Sequence, residues 1–348
     1  MVLEVRSNVL AETRLTTESL EPADGQALLR ILRFGCTANN VTYALLGETL
    51  GFGRFFPAPV GWTRVPAWGV AEVVATRAPA VREGERFFGY CPMATEMLLT
   101  PRAAPFGVVD VAEHRASLMP AYNAYRHPDA EGQDEQILLR PLFLLAFLLD
   151  EDLVARKAGS VLLSSASSKT ASAIAFLLAS HGCAVTGLTS PRNEQFVRGL
   201  GVYDQVVAYD AIDALPRRSV AFIDVAGDGR VRQRVHEHFG DDLTYSGFVG
   251  ATHLDASAFA APPALDYGPQ PEPVSANALL RERVRATSQD SLDADIARAW
   301  ARYVAWSDGW LTVRRAGGPD AVRAAYLDVL GGRVAPNEAH VVSMHSSL

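Results

Sequence analysis

Residues 159–178, GSVLLSSASSKTASAIAFLL, constrain the fold more than any other stretch. A short apolar run, Val161, Leu162 and Leu163, is followed by the hydroxyl cluster Ser164, Ser165, Ser167 and Ser168. Lys169 and Thr170 then open a pattern with apolar residues at Ile174, Leu177 and Leu178, the spacing of a buried helix face. The stretch predicts a strand, a tight turn and a helix. Ser167 or Ser168 can cap that helix by accepting a free backbone N–H. A helix N-terminus, with unpaired N–H groups and a partial positive charge, suits a phosphate, and Lys169 adds a full charge there. An α/β turn that binds nothing can carry the same serines and lysine. The glycine fingerprint of dinucleotide sites is absent. A Walker loop is excluded as well, since Leu163 and Ser168 stand where its two glycines would be.

The 348 residues suit two domains. Hydrophobic residues make up 49% and charged residues 20%, enough for a sizeable core. A formal charge of −7 argues against a nucleic-acid partner, because phosphate backbones need a basic face. Glu4 and Arg6 precede any apolar run, which is not the pattern of a secretory signal. The longest apolar run, residues 141–149, is too short to span a bilayer. The reading is therefore a cytoplasmic protein without a membrane partner. Cys36, Cys91 and Cys183 lie far apart and read as reduced thiols.

Residues 1–120 hold short β-like runs broken by Gly and Pro: 26–34, 65–74, 85–90 and 97–101. Such spacing suggests a barrel-like or sandwich-like β domain. Residues 137–153 form an apolar helix candidate. After the 159–178 unit, strands are expected at 184–188, 206–209, 220–225 and 243–249, with helices at 193–200 and 231–239. Strands alternating with helices imply a doubly wound parallel sheet, whose ligands sit at the carboxyl ends of the strands. Ser165 to Lys169 with Thr170, Thr189 to Arg192, Ala226 with Gly227, and Gly250 to His253 all fall there. An NAD site usually has an acid after the second strand. Here stand Thr189, Ser190 and Arg192, which would accept a 2′-phosphate and so favour NADP(H), although Arg192 also reads as a solvated helix-start residue. Asp224, at a strand end, reads as architectural.

Residues 260–275 are Pro-rich and irregular. Helices are expected at 279–285, 292–306 and 319–330, the last with Pro at its start and Gly331 past its end. Strands are expected at 310–313 and 341–344. This region is expected to rejoin the first third.

The order of a β-rich part, a Rossmann-like part and a return resembles the medium-chain dehydrogenase/reductase superfamily. The resemblance rests on VPAWGVAEVV (65–74), GERFFG (84–89), the 161–178 unit, FVRGLGV (196–202) and FIDVAG (222–227). SSASSKT in place of the glycine loop, with YCPMA at 90–94, is similar to the branch called the DUF2855 group. The resemblance implies an α/β fold: a β-rich GroES-like catalytic domain from residues 1–121 and 262–348, and a Rossmann-like domain from residues 122–261. It also implies a homodimer formed by sheet edges. Zinc-dependent members have a Gly-His-Glu segment near what is here Val65 to Gly69, where no His or Glu stands. Cys36 lies near a zinc-cysteine position, but a catalytic zinc needs about three protein ligands. No metal is expected.

What remains is similar to the zinc-free quinone and enoyl reductases, with NADP(H) as cofactor and a small molecule as substrate. By resemblance, Asn39, Asn40 and Tyr43 follow the strand that borders the active cleft. An Asn amide can donate to a carbonyl oxygen, and a Tyr hydroxyl can donate a hydrogen bond or a proton. Tyr43 and Asn40 are the catalytic candidates; a Tyr43 packed in the core is the plainer alternative. Tyr90, Tyr122 and Tyr125 are further possibilities. His253 lies where nicotinamide contacts occur, or is structural. The expected activity is zinc-independent reduction of an activated C=C or a carbonyl. The alternatives are a non-catalytic dinucleotide-binding sensor, and a site for another phosphorylated ligand such as a coenzyme A thioester.

Overall fold

A computed structural model of the chain describes residues 1–47, 51–130, 132–249 and 265–346. The chain forms two compact units, Met1–Leu138 with Thr312–Leu348, and Leu139–Leu311.

The first unit opens with β1 (Val2–Arg6), β2 (Val9–Thr16) and β3 (Ala27–Cys36), then helix α1 (Ala38–Leu45). There follow β4 (Trp62–Arg64), β5 (Pro66–Thr76), β6 (Arg86–Pro92), β7 (Glu96–Leu99), β8 (Pro101–Ala104), β9 (Gly107–Asp110) and β10 (Ala124–Arg126). Strand β1 is central in the order β2-β1-β4. β3 and β5 pair antiparallel; β3 alternates buried with less buried residues over its first half, and β5 is mostly buried along its first eight residues. Gly89 on β6 marks a close approach: a Cβ there would stand 2.3 Å from the Tyr125 ring.

The division between the units falls within helix α2 (Gln133–Ala155). The second unit continues with β11 (Ser160–Leu163), α3 (Lys169–Ala179), β12 (Ala184–Thr189), α4 (Glu194–Gly199), β13 (Gln205–Ala208), β14 (Val220–Asp224), α5 (Gly229–Phe239), β15 (Leu243–Phe248) and the short β16 (Glu272–Pro273). All pairs are parallel, in the order β13-β12-β11-β14-β15-β16. This is the doubly wound order, with the switch between β11 and β14. β11 is buried at all four positions, as a strand covered on both faces must be.

Helices α6 (Ala276–Ala286) and α7 (Gln289–Ser307) also belong to the second unit. The sequence reading returned the chain to the β-rich part from residue 262. Packing explains the difference: Tyr303 of α7 stacks on Phe143 of α2 at 5.0 Å, and Trp306 lies 5.0 Å from Phe176 of α3. The chain rejoins the first unit at β17 (Thr312–Gly317), α8 (Pro319–Leu330) and β18 (Glu338–Ser343). β18 pairs with β3 in the order β17-β18-β3-β5-β6-β10-β9-β8, with β7 on β3. Among the described residues, no helix is long and apolar enough to cross a membrane.

One buried titratable group ties the far side of the parallel sheet. His236 of α5 has Nδ1 2.8 Å from the Tyr267 carbonyl and Nε2 2.9 Å from the Ser246 hydroxyl of β15. A carbonyl only accepts, so Nδ1 carries the proton and Nε2 accepts from Ser246. Burial, with Arg232 nearby, lowers the His236 pKa below 6.5. The unfolded chain therefore takes up this proton first as pH falls. The stability His236 contributes is full above pH 6.5 and is lost as pH falls toward the depressed value. His236→Gln is expected to remove that part of the slope in denaturant titrations between pH 7 and 5. An unchanged slope would exclude His236 as its source.

Candidate functional site

The predicted strand, turn and helix at 159–178 are β11, the turn at 164–168 and α3. Ser168 is the helix cap: its Oγ accepts the Ala171 N–H at 3.2 Å. Ser165 has a left-handed backbone, φ +51°, at the head of the turn. Its N–H donates to the Tyr209 hydroxyl at 2.9 Å, and its carbonyl accepts the Ser168 N–H at 2.7 Å. The Ser167 hydroxyl accepts from Asn193 Nδ2 at 3.1 Å. Tyr203 donates its hydroxyl to the Ala166 carbonyl at 2.9 Å. The turn is thus braced by side chains that follow β12 and β13. The N–H groups of Ser167 and Thr170 have no partner among the described residues. With Lys169 they form a donor-rich helix N-terminus.

Ser164 is buried beneath the turn. Its hydroxyl donates to Asp224 Oδ1 at 2.7 Å and accepts the N–H groups of Val225 and Ala226, each at 2.8 Å. Asp224 Oδ1 also accepts the Gly227 N–H at 3.0 Å, while Oδ2 accepts Arg232 Nε and Nη2 at 2.9 and 2.7 Å. One carboxylate at the end of β14 thereby fixes two neighbouring turns. Ala226 is buried, with its N–H spent on Ser164, so it shapes this edge from below.

At the end of β12, Ser190 starts a short 3-10 turn on which Arg192 is exposed. Thr189 is 1% exposed and its hydroxyl has no hydrogen-bond partner among the described residues, so it faces the interior. The nearest acid in sequence, Glu194, is paired with Arg198 at 3.1 Å. Gly187 lets the turn approach β12: a Cβ there would lie 2.8 Å from the Ala166 Cβ. Gly250 and His253 lie outside the described residues. Together, Ser165, Ser167, Ser168, Lys169, Thr170, Ser190 and Arg192 follow the carboxyl ends of β11 and β12. Tyr209, Asn193 and Arg232 were not singled out by sequence. Tyr209 reads there as the last residue of a strand, and no local pattern marks its hydroxyl as a partner of residue 165.

Tyr43 and Asn40 lie on α1, in the first unit. Asn40 is 2% exposed and its amide is engaged: Oδ1 accepts the Thr37 N–H at 2.6 Å and Nδ2 donates to the Pro66 carbonyl at 2.7 Å. It closes the α1 cap and latches α1 to β5. Tyr43 sits in an aromatic cluster with Phe52 at 4.8 Å, Tyr90 at 5.4 Å and Tyr122 at 6.1 Å between ring centroids. Trp68 Nε1 donates to its hydroxyl at 3.2 Å. Burial raises the Tyr43 pKa, and hydrogen bonds from Trp68 and Tyr122 offset part of that rise. The phenol stays protonated at neutral pH, suited to donating a hydrogen bond more than a proton. Tyr90 is buried in the same cluster, its hydroxyl without a partner among the described residues.

Burial raises the Cys36 thiol to about 12, which leaves it unreactive at neutral pH. Cys36, Cys91 and Cys183 are all free thiols. Among the described residues, no three His, Cys, Asp or Glu side chains group as metal ligands do.

A sequence search of curated proteins returned no match. Solved structures of similar fold include CurA from Vibrio vulnificus, 13% identical over 97% of this chain and 95% of that one, TM-score 0.61. CurA in complex with NADPH, from the same organism, is 14% identical over 95% and 94%, TM-score 0.59. The yhdH oxidoreductase from Salmonella enterica in complex with NADP is 16% identical over 98% of each chain, TM-score 0.54. At such identities the likeness is one of fold: the GroES-like and Rossmann-like architecture of the medium-chain dehydrogenases and reductases. The sequence profile described as "Protein of unknown function (DUF2855)" matches residues 34–335, and with 302 of 348 residues inside that match the chain belongs to the DUF2855 family.

Proposed function

We infer that the protein is a zinc-independent, NADP(H)-dependent oxidoreductase that reduces an activated C=C or a carbonyl of a small molecule. The observation that carries this reading is the braced turn at 164–168. It opens α3 at the carboxyl end of β11, in a fold whose solved examples include proteins crystallised with NADPH and NADP. The donor set fits the cofactor. The α3 N-terminus and Lys169 would take the pyrophosphate, and Ser190 and Arg192 the ribose phosphate. When bound, the nicotinamide supplies the hydride. The chain's own residues must then orient it and stabilise charge on the substrate oxygen, for which Tyr43 is the candidate donor. Asn40 contributes by holding α1, since its amide is spent on the cap and on β5.

Calorimetric titration tests the binding half. NADPH is expected to bind more tightly than NADH. Lys169→Ala should weaken both, and Arg192→Ala should weaken NADPH selectively, each by about tenfold for one charge-assisted contact. Failure of the wild type to bind either cofactor would end the reading. The engaged state of Asn40 and the burial of Tyr43 favour, as a second reading, a non-catalytic dinucleotide-binding protein. NADPH oxidation with a panel of enones, quinones and aldehydes separates the two. Loss of that turnover in Tyr43→Phe, with cofactor affinity unchanged, would assign the hydroxyl.

A further inference from the structure

The turn at 164–168 holds a serine in a backbone conformation that serine rarely adopts. Ser165 lies at φ +51°, one of two non-glycine residues with positive φ among those described, the other being Lys157. A residue with a Cβ resists this region by about 1–2 kcal/mol, which is why dinucleotide turns use glycine. Something must hold Ser165 there. Its carbonyl is tied to the Ser168 N–H, which closes the turn on itself. Its N–H is tied to a group from another strand end, the Tyr209 hydroxyl at 2.9 Å. Tyr209 is itself well anchored. It is half-buried, it packs against the hydrophobic cluster that includes Leu162, Leu188 and Ile212, and its carbonyl accepts from Arg234 at 3.1 Å. The phenol is therefore a fixed acceptor at the point where the turn is strained.

We propose that Tyr209 is a positioning residue of the phosphate turn. Its hydroxyl holds Ser165 in the left-handed conformation, a hydrogen bond doing what glycine does in other turns of this kind, and so aims the α3 N-terminus at a pyrophosphate. The proposal rests on the reading of this turn as a dinucleotide site. Tyr209 does not touch the ligand's reacting atoms. It acts through Ser165. Tyr209→Phe removes one hydrogen bond and leaves the packing of the ring. Ser165→Gly removes the strain that the bond offsets.

The test is calorimetry on the full chain with NADPH and with adenosine 2′-monophosphate, which carries the ribose phosphate and lacks the pyrophosphate. Wild type is measured first, and a wild type that binds no NADPH defeats the underlying reading and not this step. Given binding, Tyr209→Phe is expected to weaken NADPH about five- to tenfold, with the monophosphate within twofold of wild type. Adding Ser165→Gly to Tyr209→Phe should restore NADPH affinity to within about twofold. A merely structural loosening would weaken both ligands and would not be rescued by glycine. Unchanged or tighter NADPH binding by Tyr209→Phe overturns the proposal, the second because the phenol would then be competing with phosphate. If Tyr209→Phe does not fold, the double variant decides. Wild-type affinity in a folded double variant supports the proposal, and failure of the double variant to fold or to bind overturns it.

Discussion

Arg232→Met is expected to destabilise the parallel-sheet unit by about 3–5 kcal/mol. The reason is the state in which it leaves Asp224. That carboxylate is 1% exposed and receives four donors, two of them from Arg232. Methionine fills much of the volume but leaves Oδ2 charged, buried and without its counter-ion. The consequence reaches the candidate site, because Asp224 is also the partner of Ser164, which holds the Val225 and Ala226 N–H groups. Asp224→Asn added to Arg232→Met should recover part of the loss. The amide carries no charge, and its oxygen can still accept from Ser164 and Gly227. Two units need not unfold together, so the measurement is hydrogen exchange at the amides of β11 and β14. A loss of protection below about 1 kcal/mol in Arg232→Met would show that the pair is not the brace argued here.

The difference between what the sequence disclosed and what it hid follows from how local each signal is. β11, β12 and β14 were legible because each is a short apolar run ending in small or polar residues, and a fully buried parallel strand has no other pattern. α8 was legible from Pro319 at its start and Gly331 beyond its end. β2 was not, because VLAETRLT has no fully buried position and its strand character comes from pairing with β1. α1 was hidden for a different reason. Its helix signal is the Thr37 and Asn40 cap, and the reading assigned Asn40 to chemistry. The return to the first unit was placed too early because the aromatic stripe of α7 says that the helix packs, not against what.

The site divides in the same way. The serine turn is contiguous and could be read. Its braces cannot be read, because Ser164 and Asp224 are 60 residues apart, and Ser165 and Tyr209 are 44 apart. No pattern in either segment announces the other. Thr189 illustrates the limit from the other side: its position at the end of β12 is legible, but the direction of its hydroxyl, inward and unpartnered among the described residues, depends on the packing around it.

Arg115→Met is the corresponding experiment in the first unit, with an expected loss of about 3–5 kcal/mol. Arg115 is 2% exposed and pairs through Nη1 with Asp110 Oδ2 at 3.0 Å. Asp110 is held in turn, its Oδ1 accepting the N–H groups of Thr100 and Ala112 at 3.2 and 3.0 Å. The same Nη1 donates to the Tyr125 hydroxyl at 3.0 Å, and that hydroxyl donates to the Tyr90 carbonyl at 2.5 Å. The guanidinium also lies over the Phe56 ring at 4.8 Å. Burial alone would make Arg115 easier to deprotonate, but Tyr125 and Asp110 outweigh it and hold the charge in place. Arg115→Lys should recover only part of the loss: both contacts are made by Nη1, and the more strongly hydrated ammonium costs more to bury than a guanidinium. Because Tyr90 and Phe56 belong to the aromatic cluster around Tyr43, the damage should appear there as well as in stability. The near-ultraviolet circular dichroism of the cluster should weaken and, on the function proposed above, turnover should fall with cofactor affinity preserved, since the turn at 164–168 belongs to the other unit. A variant that lost stability but kept the aromatic signal and full turnover would separate the ion pair from the cluster and leave Tyr43 positioned by its own neighbours, Trp68 and Tyr122.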